Sequence, residues 1–251
     1  MWMPIRSILL VLLLGRSSVS AAGTADFEQA NRQFNAGDFA AAAASYEQIL
    51  ATAGARAAVL YNLGNSYQRL EQYGHAILAY ERARLLTPRD PDLLANLALA
   101  RKAAAAFEEN GDHPRLDAAV NYLSRNEWSW LVAGAMLFLG GLALLGGVAG
   151  MPRRGHRQAA LAAMAAAILA IIAGAAALYH RRDETSRAIV LTENAVVRLS
   201  PFDKAETLGS PGLGRTVHIR GHSGGFHFIE VPGTNLRGWL PAKDVAAVTP
   251  E

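Results

Sequence analysis

The fold of this chain is decided by two uncharged stretches, WSWLVAGAMLFLGGLALLGGVAG at residues 128–150 and AALAAMAAAILAIIAGAAALY at residues 159–179. They hold 23 and 21 residues, and a helix that rises about 1.5 Å per residue needs about 20 residues to cross a hydrocarbon core of ~30 Å. Trp128, Trp130 and Tyr179 stand at their boundaries, as in interfacial aromatic belts. The two stretches predict a transmembrane hairpin, so the chain is a multidomain membrane protein.

Residues 1–21 are typical of a signal peptide. Arg6 lies in a short basic start, an apolar run follows, and Val19 and Ala21 are the small residues that signal peptidase requires before its cleavage site. The apolar run is too short to span a bilayer, which disfavours an uncleaved signal anchor. We therefore expect cleavage after Ala21.

The export signal and the spans together set the topology. Residues 22–127 are expected outside the cytoplasm, and the loop at residues 151–158 inside, where its three arginines and lack of acids satisfy the positive-inside rule. The tail from residue 180 then returns outside. The predicted location is the inner (cytoplasmic) membrane of a bacterium, with both terminal modules on the periplasmic side.

The charge pattern excludes a nucleic-acid partner. The formal net charge is +3, but residues 22–127 hold 10 Lys and Arg against 13 Asp and Glu, and residues 180–251 hold 9 against 8. Neither part has the basic stripe that a phosphate backbone requires. The chain has no cysteine, so it has neither disulfides nor a cysteine zinc site.

A sequence repeat occupies the first exported part. AGDFAAAAASYEQIL returns as LEQYGHAILAYERAR, so that Ala42 aligns with Ala76 and Tyr46 with Tyr80. The repeat period, about 34 residues, is typical of tetratricopeptide (TPR) repeats, in which Gly64 would allow close helix packing. A third start, PDLLANLALARKAAAAF, matches only a first helix. Residues 22–107 are therefore predicted to form two all-α TPR repeats and a capping helix.

In TPR proteins the first helices of successive repeats form a groove that binds extended peptide, and side-chain amides there hold its backbone. By resemblance, seven residues are candidates for the groove. They are Phe27, Asn31, Tyr61, Asn65, Arg69, Asn96 and Lys102. The alternative is that the asparagines cap turns or bridge neighbouring repeats.

Residues 108–127 connect the repeats to the first span. Their apolar positions follow a narrow helical stripe, which predicts an amphipathic juxtamembrane linker or a simple spacer helix. Within the spans, Ala162, Ala166, Ala170 and Gly174 recur every four residues and would let helices approach closely. Packing within the hairpin and packing against another membrane subunit both explain this pattern.

After a linker at residues 180–187, residues 188–251 predict a small all-β barrel of short strands separated by Gly and Pro. Val196 to Pro201 and Gly238-Trp239-Leu240-Pro241 follow the motif order of bacterial SH3-like domains. We expect Trp239 to pack in the core, although its ring could instead face a ligand.

Three histidines of the tail raise the question of a metal site. His218, His222 and His227 could ligate zinc, but no carboxylate stands at ligand spacing, so surface histidines are favoured. The chain shows no nucleophile triad, phosphate loop, paired carboxylates or dinucleotide fingerprint. We therefore expect no metal, no cofactor and no enzymatic activity.

The order of signal peptide, short TPR array, Asn-Glu-Trp-Ser-Trp before a two-span hairpin and SH3-like tail resembles the BatE group of the bacterial Bat (aerotolerance) operons. The resemblance implies a scaffold partnered with von Willebrand A-domain membrane proteins, beside a cytoplasmic MoxR-type AAA+ ATPase, in envelope or oxidative-stress tolerance. The rival hypothesis is recognition of cell-wall peptide, or positioning of a peptidoglycan hydrolase, through the SH3-like tail.

Overall fold

The computed structural model of the protein describes residues 21–106, 114–144 and 154–249. The predicted signal peptide lies outside these residues except for Ala21, and so do residues 151–153 of the predicted cytoplasmic loop. The described helices are α1 (Ala21–Asn35), α2 (Phe39–Ala53), α3 (Ala57–Arg69), α4 (Tyr73–Leu86), α5 (Pro91–Ala103), α6 (Pro114–Tyr122), α7 (Arg125–Leu144) and α8 (Arg154–His180). The described strands are β1 (Arg187–Val190), β2 (Val197–Arg198), β3 (Thr207–Gly209), β4 (Thr216–Ser223), β5 (Phe226–Glu230), β6 (Arg237–Pro241) and β7 (Val245–Ala247).

The turns after α1, α3 and α5 share one backbone geometry. Gly37, Glu71 and Ala105 follow one another at the repeat period, and each takes a left-handed φ, +84°, +59° and +51°. In each turn the next amide donates to a carbonyl of the preceding helix. These bonds join Asp38 N to Gln33 O, Gln72 N to Tyr67 O and Ala106 N to Arg101 O, at 3.0, 2.9 and 2.9 Å. The repeat period therefore holds in the structure through the start of a third unit.

Side-chain packing explains why the helices of one unit approach closely. Gly64 on α3 faces the ring of Tyr80 on α4, and an added Cβ there would lie 2.5 Å from the ring atom Cε1. Ala76 and Tyr80 are fully buried. An apolar layer therefore lies between α3 and α4. Polar side chains of α3 lie on the opposite face of that helix.

Helices α7 and α8 form an apolar pair. Gly174 of α8 packs on Val132 and Trp128 of α7, and a Cβ at position 174 would lie 2.4 Å from Val132 Cγ2. Ala162 and Ala166 are exposed, so the small residues that recur every four positions do not all face α7. Large apolar side chains also point outward from both helices: Trp130, Met136, Leu137, Phe138, Leu161, Ile168, Leu169 and Ile172.

In the described part of the chain one helical stretch, Gly155–Ser186, is long and apolar enough to cross a membrane. This finding agrees with the general prediction that the chain inserts into a membrane. The first predicted span runs to residue 150 and so extends beyond the described residues. The second span begins within a longer helix than predicted, because α8 already starts at Arg154.

The tail is a seven-stranded antiparallel sheet in the order β3-β2-β6-β5-β4-β1-β7. Its core consists of aliphatic side chains, among them Val190, Val197, Val217, Ile229 and Leu240. The mixed helical and sheet layout agrees with the predicted fold class at this coarse level.

The expectation that Trp239 packs in the core of the tail is wrong. Side chains alternate across a strand, and on β6 it is Leu240 that is fully buried. Trp239 is half-buried on the other face, where its ring meets Phe228 edge-on at a centroid distance of 5.3 Å. The Gly-Trp-Leu-Pro motif therefore contributes Leu240 to the core, and its Trp239 pairs with Phe228 on the opposite face of the sheet.

The sheet packs directly on the helical repeats. Ile189 and Val248 belong to the same buried cluster as Ile77 and Tyr80. Gly214, at a left-handed φ of +68°, touches α4 so closely that a Cβ would lie 2.4 Å from Ile77 Cδ1. Two modules that the sequence divides therefore share one core through α4.

A buried carboxylate lies in the same contact. Glu81 of α4 is fully buried, and its oxygens pair with Arg101 at 2.6 Å, Arg84 at 2.8 Å and Arg187 at 3.1 Å. These arginines come from α5, α4 and β1. Burial alone would raise the pKa of the Glu81 carboxyl, but the three guanidinium groups outweigh burial and hold the pKa well below its ordinary value.

The connection to the apolar pair is also bonded to the repeats. Arg89, in the turn between α4 and α5, pairs with Glu127 at the start of α7 at 2.7 Å. Arg181, the residue after α8, donates to the carbonyl of Leu123 at 2.7 Å. The predicted linker at 108–127 is thus held from two sides in its described part.

Candidate partner-binding groove

The groove face is the surface formed by α1, α3 and α5, the first helices of successive units. These helices lie side by side, with α1 against α3 and α3 against α5, while α2 and α4 pack behind them. All seven predicted groove residues are on these three helices. The structure therefore places them on the first helices of successive units.

Asn31 of α1 joins two neighbouring helices. Its Oδ1 accepts a hydrogen bond from the hydroxyl of Tyr46 on α2 at 2.7 Å and another from Asn62 Nδ2 on α3 at 3.0 Å. Both acceptor positions of the amide oxygen are therefore filled within the fold.

The same arrangement recurs one repeat period later. Asn65 Oδ1 accepts from the hydroxyl of Tyr80 at 2.7 Å and from Asn96 Nδ2 on α5 at 3.0 Å. Burial raises the pKa of Tyr46 and of Tyr80, so both hydroxyls keep the proton that they donate. The asparagines do bridge neighbouring units, as one of the two sequence interpretations held.

The bridging bonds use only the side-chain oxygens of Asn31 and Asn65. Asn62 and Asn96 present Nδ2 atoms, which can only donate, so the atoms that face them are the oxygens of Asn31 and Asn65. The Nδ2 atoms of Asn31 and Asn65 then point away from the bond, with no hydrogen-bond partner among the residues the structure describes. Each unit thus holds one amide rigidly and leaves its NH₂ group available as a donor.

An aromatic ring stands one helical turn before each of these asparagines. Phe27 lies 6.0 Å from the Tyr46 ring, and Tyr61, at the equivalent position, lies 6.1 Å from the Tyr80 ring. Both are half-buried. At the third unit the equivalent positions hold Ala95 and Leu99, so the described groove has two aromatic–amide subsites.

The two basic candidates differ in their surroundings. Arg69 lies at the end of α3 with its guanidinium 4.3 Å above the ring of Phe39 on α2, a contact that holds it at the edge of the array. Lys102 is exposed near the end of α5. Neither is part of the asparagine network.

Sequence reasoning missed Asn62, whose Nδ2 is the donor to Asn31. The candidates Asn65 and Asn96 are not a full repeat period apart, so they occupy different positions of their repeats. Asn62 and Asn96 are separated by the full period, and this spacing was the available signal. The roles of Tyr46 and Tyr80 as donors were also missed, since the repeat alignment identified them only as equivalent positions.

The three histidines of the tail do not form one cluster. His218 Nδ1 lies 3.0 Å from the hydroxyl oxygen of Ser186, and burial lowers the pKa of this histidine. His222 and His227 instead face each other across β4 and β5. In the described ranges no three His, Cys, Asp or Glu side chains gather in a geometry suited to a metal ion.

Comparison of the chain with protein-family models, with curated proteins and with solved structures found no match.

Proposed function

We propose that this protein is a membrane-anchored scaffold that binds an extended segment of a partner protein in the groove formed by α1, α3 and α5. The observation that carries the proposal is the pair of NH₂ groups of Asn31 and Asn65, held by equivalent bonds one repeat apart. An extended backbone offers carbonyl oxygens at regular intervals, and fixed amide donors can bind them without new ordering cost.

The aromatic neighbours support the same use of the groove. Phe27 and Tyr61 supply half-buried rings beside the two donors, so a bound segment meets apolar area and a hydrogen-bond donor in each unit. The pattern fits the TPR hypothesis from the sequence, in which side-chain amides hold the backbone of a peptide.

The anchoring part of the proposal rests on the apolar pair. Trp130 is 77% exposed and Leu137 is 78% exposed. Soluble monomeric proteins rarely expose such large apolar side chains together on two adjacent helices. A lipid environment would cover it. We propose two spans, with the repeats and the sheet both on the periplasmic side of a bacterial inner membrane.

The partners proposed are those of the Bat systems that the domain order resembles. These are von Willebrand A-domain membrane proteins, with a MoxR-type AAA+ ATPase in the same system. The sequence order and the membrane anchor support this assignment.

The decisive experiment replaces the two NH₂ donors of Asn31 and Asn65 by oxygen acceptors and keeps the fold. In the double variant Asn31→Asp, Asn65→Asp the retained oxygens still accept from Tyr46 and Tyr80, while each NH₂ becomes an oxygen that repels a carbonyl. A photoreactive phenylalanine analogue in place of Tyr61, followed by mass spectrometry of native membranes, should identify a partner. The double variant should lose at least about tenfold of that crosslink. Asn194→Asp, an exposed amide in the tail, is the matched control for the charge change.

A second candidate function, recognition of cell-wall peptide by the tail, is favoured by one observation. A cavity of about 570 Å³ lies beside the turn at residues 231–237 and is lined by His218, Arg220 and Arg237 together with Thr234 and Asn235. Guanidinium and amide donors suit a peptide that carries carboxylates. If the membranes yield no protein partner at position 61 but the full-length protein is retained on murein, and Arg237→Ala releases it, the tail rather than the groove is the binding site.

A further inference from the structure

The β4–β5 hairpin is built around a tight turn. Gly224 and Gly225 take φ values of +54° and +83°, the left-handed pair that a type I′ turn requires. The turn sets Ser223 opposite Phe226, and the next pair along the ladder is His222 opposite His227. Two histidines therefore stand directly across the strands, on one face of the sheet.

The tip of this hairpin is held in place. Phe226 is buried, and the amide of Ala242 donates to the carbonyl of Gly225 at 2.9 Å. The histidines thus project from a fixed backbone, and their relative position does not depend on a mobile loop.

The imidazole rings converge at their Nδ1 atoms. His222 Nδ1 and His227 Nδ1 are 2.6 Å apart, and the rings meet edge-on at a centroid distance of 4.7 Å. One ring must donate its Nδ1 proton to the lone pair of the other. The two Nδ1 atoms are therefore directed at nearly the same point in space, with one proton between them.

We propose that His222 and His227 form a two-histidine site for a divalent late transition metal, with Cu²⁺ preferred over Zn²⁺. Imidazole nitrogens are good ligands for both ions, and Cu²⁺ stands highest in the affinity order of divalent first-row metals. With metal–nitrogen bonds of about 2.0–2.1 Å, two nitrogens in neighbouring coordination positions lie about 2.9–3.4 Å apart. The pair would need to open by less than about 1 Å, which small rotations of both rings provide.

Metal binding needs no net loss of a proton from the neutral pair. The ring that donates its Nδ1 proton changes to the tautomer with the proton on Nε2, so that both Nδ1 lone pairs can bind the metal. Metal and protons compete for the same nitrogens, so binding weakens as the pH falls. Two protein ligands leave the other coordination positions open to water or to a side chain of a partner. His218 is not a ligand in this proposal, because its Nδ1 already lies against Ser186.

The test uses the full-length protein in detergent, without a histidine tag. Titration with Cu²⁺, followed by calorimetry and by electron paramagnetic resonance, should show one saturable site whose spectrum carries couplings from two nitrogens. His222→Gln and His227→Gln should each lose at least about tenfold in affinity, as removal of supporting groups at metal sites already does, and should lose the two-nitrogen pattern. His218→Gln should bind as the wild type does, and all three variants should keep the metal-free melting temperature.

Two results would overturn the proposal. Wild-type affinity and spectrum in both His222→Gln and His227→Gln would place any copper elsewhere on the chain. The absence of a saturable site in the wild-type protein would show that the histidine pair only shares a proton.

Discussion

The two faces of the helical array differ in how their polar side chains are bonded. On the face formed by α4, Glu81 has three arginine partners and a sheet packed over it. On the groove face, Asn31 and Asn65 are held by two bonds each and keep a donor without a partner among the described residues. One face is thus covered by the protein's own tail, and the other keeps the two donors through which we propose that it binds a partner.

The sheet of the tail also covers one side of the helical repeats. Because the sheet covers α4, the repeats need no second helical layer on that side. Arg82 of α4 donates to the carbonyls of Ala247 and Val248 at 2.8 and 3.3 Å, which extends the contact to the last described strand. The repeats and the sheet are therefore expected to unfold together.

The largest effect should come from Glu81→Ala. Removal of the carboxylate leaves Arg84, Arg101 and Arg187 without their shared buried acceptor, and the loss of one member of a buried ion pair costs about 3–5 kcal/mol. Urea unfolding of the full chain in detergent, followed by circular dichroism, should show the helical and the sheet signals lost together at lower urea. Glu28→Ala, which removes an exposed glutamate from α1, is the matched control and should leave the urea midpoint nearly unchanged. A shift in the helical signal alone would mean that the two modules unfold independently.

The second prediction concerns pH and uses Glu81→Gln. Since the folded pKa of Glu81 is lowered, its contribution is present above the unfolded pKa of about 4.3 and is lost as pH falls toward the folded pKa. The gap in unfolding free energy between wild type and Glu81→Gln should therefore be widest near neutral pH and should narrow below about pH 4.3. Other carboxyls titrate in both proteins and cancel in the difference. A gap that stays constant from neutral pH to strongly acidic pH would contradict a charged, buried Glu81.

The sequence predicts features that depend on residues close together along the chain better than features that depend on distant ones. The repeat period predicted the helical units because Gly64, Ala76 and Tyr80 act within one helix pair. The long apolar helix could be predicted because length and apolar composition are properties of one stretch alone. The groove candidates were placed on the first helices of successive units by their repeat positions, although the pairing of Asn62 with Asn31 required the full period.

The contact between repeats and sheet could not be predicted in this way. Glu81 and Arg187 are far apart along the chain, and each alone has the pattern of an exposed charge. Trp239 was misplaced because a motif gives the residue type but not the face of the strand on which it lies. Both failures concern partners that only the fold brings together.

The smallest effect should come from the turns that mark the repeat. Glu71 holds a left-handed φ of +59° where Gly37 holds +84°, and a side chain there costs about 1 kcal/mol relative to glycine. Glu71→Gly should therefore raise the free energy of unfolding by about 0.5–1 kcal/mol, the gain being reduced by the greater freedom of glycine in the unfolded chain. Gly37→Ala is the matched inverse, because an added Cβ at position 37 meets nothing within 4 Å and its cost of about 1 kcal/mol would be conformational. Opposite shifts of the urea midpoint in these two variants would show that the left-handed turn after α1 recurs after α3 with the same backbone requirement. A loss of stability in Glu71→Gly would instead show that only the side-chain hydrogen bonds, and not the turn geometry, repeat between the units.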